Sequence, residues 1–486
     1  MLLFPVIKEF LADTETPISI FDALRKKGAC FLLESVERGE RWGRYSMIGL
    51  NPAGEVLFEN GRISVKGDVE MPLGSKRPLE ALREILNRYN LDAQRHELPA
   101  FAGGLAGFLS YDVLRYYERL PNRPPDDASF PDAHFMLVKD IVVYDHLKSI
   151  IKIICLVPQD SDDDALNEAQ LRIESIIRDI KGNERTQDAH EGGVEFELTS
   201  NFTEKTFADA VRKAKSHIID GDILQVVLSQ RLKCSPAPDP FMVYRRLRSL
   251  NPSPYMFYMD FNDYCIIGSS PECLAKVEGG VVETCPIAGT RPRGKTAEED
   301  EALAQDLLND EKERAEHIML VDLGRNDIGR VSRIGTVHVE DYMHIERFSH
   351  VMHIVSNVKG MLEPHLDAFD ALLACFPAGT VSGAPRIRAM EIIDELEPTG
   401  RGPYAGAVGY FDFRGNMDTC ITIRSVFFKD NCAYLQAGAG IVADSVPEKE
   451  YAETLNKLGA LLKVLTNGSI DHTVYKGVKA YVKQQI

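Results

Sequence analysis

The sequence predicts a mixed fold, α+β or α/β, and three observations carry that prediction. Short β-rich runs such as FLLES, IVVYD and SIIKIICLV recur between Gly and Pro punctuation in the first 180 residues. Stretches with apolar residues at helical spacing alternate with them. The composition, 44% hydrophobic and 27% charged over 486 residues, belongs to a globular chain with ample core to bury.

The elements follow in order. The opening MLLFPVIKEFLADTETP carries Pro5, Lys8 and Glu9 and lacks a basic leading region, so it does not read as a secretory signal. SIIKIICLV is short and interrupted by Lys152, which makes it a strand rather than a membrane span. Residues 162–180 read as a helix. KGNERTQDAHEGG (181–193) holds a single apolar residue, Ala189, and is the linker between a 1–180 region and a 194–468 region, with 469–486 as a tail. Thr203 then caps a helix whose Phe207, Val211, Ala214 and Ile218 recur at helical spacing. In 311–323, EKERAEHIMLVDL, the spacing puts Ala315, Ile318, Met319 and the following leucines on one apolar side, with Glu313 and Glu316 on another. In 447–465, Pro447 stands near the first helical position, and Tyr451, Leu455, Leu458 and Leu462 form the apolar stripe. Glu450, Glu453 and Lys457 share a different face.

Charge excludes whole classes of partner. Lys and Arg number 56 against 73 Asp and Glu, a formal charge of −17, so neither phosphate backbones nor anionic lipid attract the chain. Nucleic acid and membrane are not expected partners. Nine cysteines, odd in number and never spaced CxxC, fit neither a disulfide framework nor a structural zinc site; free thiols in a reducing cytoplasm are the expectation.

Two helices that each present carboxylates one turn apart admit two readings. The ordinary one is a solvated face with a Glu453–Lys457 ion pair. The chemical one is a hard-cation site, because Mg²⁺ takes one or two carboxylates plus waters and an anionic substrate. GAGIVA (438–443) matches a dinucleotide fingerprint only weakly, since no βαβ unit follows; it reads better as a turn whose N–H groups could hold a carboxylate. His350 and His353 fall on a strand-like stretch, where an odd separation sends side chains to opposite faces, so they do not form a zinc pair. Three Gly-bearing basic segments, PIAGTRPRGK, GRNDIGRVSR and SGAPRIRAM, are either salt-bridged loops or the wall of an anion pocket. GxSxG, P-loop and HExxH motifs are absent, and no cysteine stands in a glutaminase context.

The motifs LLES (32–35) with RYSMIG (44–49), NPSPYMFYM (251–259), PIAGTRPRG (286–294), AEHIMLVDLGRNDIGRV (315–331), FPAGTVSGAPRIRAMEIID (376–394) and GAGIVADSVPEKEYAET (438–454) together resemble the chorismate-utilising enzymes. Within them the closest resemblance is to the large subunit of anthranilate synthase, over nearly the whole chain. That resemblance implies an α/β sandwich of large antiparallel sheets flanked by helices, with 1–180 regulatory and 194–468 catalytic. Aminodeoxychorismate synthases carry a nucleophilic lysine where this chain has Ala288, and isochorismate synthases carry a lysine base where it has Gln225. Aminodeoxychorismate synthase and a non-catalytic tryptophan-binding subunit remain the alternatives.

The resemblance also implies roles. Glu316 and Glu453, with Glu450, would ligand Mg²⁺. Tyr404 and Arg424 would grip the enolpyruvyl carboxylate, Lys457 would add charge near the ring carboxylate, and Gly289, Thr290, Gly438, Ala439 and Gly440 would supply backbone and hydroxyl contacts. Glu313 would be the acid, with His353 and Thr380 serving the second step. The reaction implied is that of a Mg²⁺-dependent lyase joining chorismate and ammonia into anthranilate and pyruvate. A separate glutamine amidotransferase subunit would supply the ammonia within a heterotetramer of two large and two small subunits. Tryptophan would inhibit by feedback at Glu34, Ser35, Pro254, Tyr255, Met256 and Cys420.

Overall fold

A computed structural model describes residues 1–35, 43–72, 74, 76–92, 97–182, 196–348, 351–466 and 474–475. Two large, mostly antiparallel sheets form it, of fourteen and eleven strands among the described residues. The first runs from Glu197–Ser200 through Gln225–Ser235, Cys432–Ile441, Ser425–Lys429, Tyr264–Ser270 and Tyr255–Asp260, then continues into Ala29–Glu34, Tyr45–Leu50 and the amino-terminal strands. The seam is the pairing of Met256 with Glu34. The second sheet has a similar seam, where Ala407–Asp412 pairs with Gly104–Leu109. Strands from both sides of the 181–193 segment therefore share each sheet. Residues 183–195 and the 469–486 tail, apart from Val474–Tyr475, lie outside the described residues, as does His350.

Strand alternation builds the layers. Phe31, Leu33, Phe257 and Met259 point into a core between the two sheets, where they meet Phe108, Val408 and Phe411. Leu32, Met256 and Tyr258, one residue out of phase, point to the opposite face. There the helices Glu204–Ile219, Pro240–Leu250 and Pro447–Leu465 cover the sheet with Phe207, Val211, Leu247, Leu455 and Leu458. Each fully buried Leu or Phe contributes about 1.5–3 kcal/mol. Thr203 caps the Glu204–Ile219 helix in a reciprocal box with Thr206, as its position suggested. No helix among the described residues is long and apolar enough to cross a membrane.

The structure corrects three of the expectations. In the helix Glu311–Gly329 the buried stripe is His317, Leu320, Val321, Gly324, Asp327 and Ile328, while Ala315 and Ile318 are exposed. The helix faces a cavity there, so Ala315 and Met319 line open space instead of core. GAGIVA is no turn: Gly438–Ile441 continues the strand Cys432–Ile441 beside Gln225–Ser235. The neighbouring strand on its other side reaches only to Leu435, which leaves the edge from Gln436 onward unpaired by any strand among the described residues. The basic segments are not anion-binding loops around that cavity either. Arg291 is tied to Asp306 and Asp310, Arg293 to Asp300, Arg325 to Asp322, Arg386 to Asp327 and Arg388 to Asp222.

Candidate active site

The two acidic helices start with ordinary caps. The Asp310 carboxylate accepts from the Lys312 and Glu313 amides, and Pro447 opens the second helix. Their first turns face one cavity of about 810 Å³, a size suited to a small organic ligand. Glu316 and Lys312 enter its wall from the first helix, and Glu450, Glu453 and Lys457 from the second. The remainder comes from strand ends and turns: Thr380, Tyr404, Arg424, Gly438 and Gly440, together with Glu272 and Gln225. Nine of the site residues singled out above thus meet in one place, although they span residues 316 to 457.

The carboxylates crowd one another. Burial first, and then the Glu313 charge, push the Glu316 carboxyl above its ordinary range. Burial also raises Glu450, aided by Glu453 and opposed by Ser445. Glu453 pairs with Lys457 at 2.8 Å, and the same ammonium donates to the Gly438 carbonyl at 2.9 Å. The ion pair of the ordinary reading exists, and it stands in the cavity wall.

Opposite stand the cationic groups. Arg424 has φ 52°, a left-handed backbone costly for a non-glycine residue. Its guanidinium donates to the Lys457 carbonyl at 2.7 Å, and burial lowers its pKa. Tyr404 is buried, which pushes its phenol up to about 12, so it stays a protonated donor. The glycines let the strand pack closely here. A Cβ on Gly438 would stand 3.0 Å from the Leu228 carbonyl and 3.1 Å from the Tyr404 hydroxyl, and one on Gly440 would meet Gln225 at 2.6 Å.

Five expected residues lie outside this wall. Ala439 is fully buried in the core on the opposite face of its strand. His353 sits behind Gly289: its Nδ1 donates to the Gly289 carbonyl at 2.7 Å and lies 3.2 Å from the Thr290 hydroxyl. Burial lowers the His353 pKa, which favours the neutral ring. Glu313 is at the rim, 3.7 Å from Arg291 and close against Gly289.

Glu272 was missed. It follows the buried strand Tyr264–Ser270 and Pro271 and faces the cavity. Burial pushes its carboxyl up to about 7, moderated by Thr380 and then Lys457. The Thr380 hydroxyl lies near it without making a direct hydrogen bond. The available signal was a carboxylate just past the end of a wholly buried strand.

A second cluster gathers at the sheet seam. The Glu34 side chain is fully buried; it accepts from the Tyr244 hydroxyl at 2.7 Å, the Ser46 hydroxyl at 3.1 Å and the Arg248 Nε at 2.9 Å. Met256 is its strand partner, and Tyr255 pairs with Ser270. The Tyr255 hydroxyl donates to Asp418 at 3.0 Å, and the Cys420 thiol lies beside Ser270. The Ser35 hydroxyl is buried without a hydrogen-bond partner among the described residues, and Pro254 is half-buried just before Tyr255.

With this geometry in view, comparisons decide the family. The family model for chorismate binding enzyme matches residues 28–463. Anthranilate synthase component 1 of Acetivibrio thermocellus is 53% identical over 471 residues, covering 95% of each chain. The chain belongs to the anthranilate synthase component 1 family of chorismate-binding enzymes. A further member of the anthranilate synthase component 1 family, from Aquifex aeolicus, is 48% identical over 469 residues, with 95% of this chain and 94% of that one covered. The crystal structure of anthranilate synthase component I from Streptococcus pneumoniae superposes with a TM-score of 0.77 at 40% identity, covering 93% of this chain and 98% of that one. Both the two-sheet architecture and the sequence thus place the chain in this family.

Proposed function

We propose that this chain makes anthranilate and pyruvate from chorismate and ammonia in the 810 Å³ cavity between the two acidic helices. Conversion of chorismate to anthranilate is the activity of its family. The observation that carries the assignment of roles is the arrangement of that wall, with Arg424, Tyr404 and Lys457 set against Glu316, Glu450 and Glu453, and Glu272 alongside. A dicarboxylate substrate needs cationic donors at two points, and a forked guanidinium beside a neutral phenol suits one carboxylate. The unpaired strand edge from Gln436 to Ile441 offers backbone groups for the other.

Chemistry assigns the proton transfers. Ammonia attacks ring C2 while the C4 hydroxyl leaves, and that hydroxyl needs a proton to depart as water. Glu272 is the better donor, since it faces the cavity and its carboxyl holds a proton up to about pH 7. The acid role expected of Glu313 passes to it, because Glu313 stands at the rim beside Arg291. Loss of the C2 proton and cleavage of the enolpyruvyl C–O bond then release pyruvate. Thr380 contacts this part of the cavity, and the neutral His353 fixes the Gly289–Thr290 backbone at its edge. Gln225, on the wall, cannot take a proton from water, and Ala288 is a buried methyl with no amine to attack the ring.

Glu316 and Glu453, with Glu450, would hold Mg²⁺. They are hard oxygen donors from two helices, and burial first, with a neighbouring carboxylate adding to it, raises the Glu316 and Glu450 carboxyls. Among the described residues no group of three His, Cys, Asp or Glu side chains stands close enough to hold a metal alone, so such a site would need water and substrate to complete it. Bound there, Mg²⁺ would supply the positive charge that secures the ring carboxylate.

The relatives' name, component 1, implies a second component; a glutamine amidotransferase delivering ammonia, in a tetramer of two large and two small subunits, is the reading we adopt. The Glu34 cluster would bind tryptophan as feedback inhibitor, with 1–180 the regulatory region and 194–468 the catalytic one. The test is direct. The purified chain mixed with chorismate, Mg²⁺ and an ammonium salt at mildly alkaline pH should develop anthranilate fluorescence and release pyruvate, while glutamine in place of ammonium gives neither. Accumulation of 4-amino-4-deoxychorismate, or turnover of glutamine by the lone chain, would overturn the assignment.

A further inference from the structure

One side chain in the wall of the catalytic cavity is held by a chain of buried polar groups and keeps an acceptor to spare. Gln436 lines the cavity and is 2% exposed. Its Nε2 donates to the Ser229 hydroxyl at 2.7 Å. That hydroxyl gives its own proton to the Glu397 carboxylate at 2.9 Å, and the Ser229 amide donates to the same oxygen at 2.8 Å. Glu397 in turn takes the Arg401 guanidinium in a two-pronged pair at 2.6 and 3.0 Å, with both side chains buried. Arg401 also donates to the Val381 and Val227 carbonyls at 2.6 and 2.7 Å, and both residues stand in the cavity wall. Only the cavity end of this chain is incomplete. The Gln436 Oε1 is buried without a hydrogen-bond partner among the described residues, and buried polar atoms are rarely left so.

The order of donors decides which way the amide points. A hydroxyl has one proton and a carboxylate is the stronger acceptor, so Ser229 offers Gln436 only a lone pair. The amide turns its NH₂ toward Ser229 and its oxygen away. Gly438 and Gly440, two and four residues on, share that face of the strand and have no side chains to cover it. We propose that the Gln436 Oε1 is the seat of ammonia in the reaction, accepting one of its N–H groups and leaving the nitrogen lone pair free to attack ring C2. The inference rests on the reading that this cavity joins chorismate and ammonia. Complementarity is the first argument. The two carboxylates of chorismate only accept and go to cations, and the ring hydroxyl goes to Glu272, which leaves ammonia, with three N–H donors, to the amide oxygen. Charge is the second. A neutral oxygen holds ammonia as ammonia, whereas a bare carboxylate would favour ammonium, which has no lone pair. The chain keeps its carboxylate, Glu397, one group further back and paired with Arg401. The transition state is the third. As the lone pair forms the C2–N bond, the ring double bonds shift round to C4 and the hydroxyl leaves with the Glu272 proton. The nitrogen becomes cationic, its N–H becomes a stronger donor to Oε1, and the extra proton passes to water afterwards. A hydrogen bond that tightens along the reaction lowers the barrier.

Kinetics of the full chain with chorismate, Mg²⁺ and an ammonium salt test this, with rates read against free ammonia at one mildly alkaline pH. Gln436→Met keeps the length and bulk of the side chain and removes the amide oxygen. Its kcat/KM for ammonia should fall roughly tenfold or more, while KM for chorismate stays within about twofold of wild type. Ser229 is a positioning residue, and Ser229→Ala frees the amide to rotate. It should lower kcat/KM for ammonia about threefold, again with KM for chorismate nearly unchanged. Gln436→Met decides the matter where its melting temperature shows it folded, and Ser229→Ala decides it where Gln436→Met does not fold. The seat is wrong if, in the deciding variant, the values for both reactants worsen in parallel or neither changes. It is also wrong if KM for chorismate alone rises, which would give the Oε1 to the ring hydroxyl. A wild-type chain that makes no anthranilate from chorismate and ammonium would remove the reading of the cavity and the seat together. An active wild type, joined to a deciding variant with unaltered ammonia kinetics, removes the seat alone.

Discussion

Glu34 and Glu316 are both glutamates in the walls of large internal structures, and their surroundings differ in kind. Around Glu34, Tyr244, Ser46 and Arg248 satisfy both carboxylate oxygens, and the charge ties two strands and the Pro240–Leu250 helix together. Around Glu316 the charges are mixed, Glu313 and Glu453 against Lys312 and Lys457, and among the described residues it makes no hydrogen bond or ion pair. A satisfied buried charge holds architecture and is costly to break, about 3–5 kcal/mol when one partner is removed. A crowded, unsatisfied one waits for a cation or a substrate. The two clusters are nonetheless connected. Tyr255 pairs with Ser270, two residues before Glu272, and its hydroxyl reaches Asp418 on the strand that leads to Arg424.

The contrast can be broken at either end, most severely at the catalytic one. Glu272→Gln removes the proposed proton donor and should lower kcat by roughly 10²–10⁴-fold. The pH dependence carries a sign. Glu272 must be protonated to donate, so glutamine-dependent kcat/KM for chorismate should fall as pH rises through about 7, the value to which burial lifts this carboxyl. A profile flat across that range, or a Gln variant with near wild-type turnover, would return the acid role to another group.

Glu316→Gln and Glu453→Gln keep size and hydrogen bonding but remove a hard anionic ligand. Metal-ion catalysis is worth several kcal/mol, so turnover should collapse, the Mg²⁺ concentration for half-maximal rate should rise, and the melting temperature should change little. Unchanged Mg²⁺ titration curves would mean that these glutamates are simply solvated helix faces.

The smallest effect is expected at the seam. Ser35→Arg or Met256→Thr should abolish inhibition by tryptophan and leave uninhibited turnover nearly intact, a loss of coupling of about 1–3 kcal/mol. By reciprocity, saturating chorismate should weaken tryptophan binding to the wild-type chain by the factor by which tryptophan weakens chorismate binding. Calorimetric titration with and without chorismate reads it. Variants that lose catalysis and inhibition together would make the two clusters a single site.

Much of this was legible in local pattern. The stripe Tyr451, Leu455, Leu458 and Leu462 is buried as its spacing required, and Thr203 and Pro447 start their helices where capping chemistry put them. Local pattern failed where an element borders a cavity. Ala315 and Met319 were read as core because amphipathicity reports what avoids water, and a ligand cavity suits the same residues. GAGIVA was read as a turn because glycine marks turns; its glycines instead let a strand pass close to Gln225, Leu228 and Tyr404. Glu272 carried little signal, since its raised pKa comes from burial and from neighbours far away in sequence.

The sequence by itself determined the elements, their caps, the acidic faces of two helices and the family, because these depend on neighbours within a turn or on motifs read in order. Only the tertiary structure decided that Glu316 and Glu453 share one cavity with Arg424 and Tyr404, that Glu272 joins them, and that Glu34 is sealed by Arg248 and Tyr244. Those placements come from pairings such as Met256 with Glu34 and Val227 with Gly440. Pairings of that kind are chosen by the packing of two whole sheets, which no local spacing encodes.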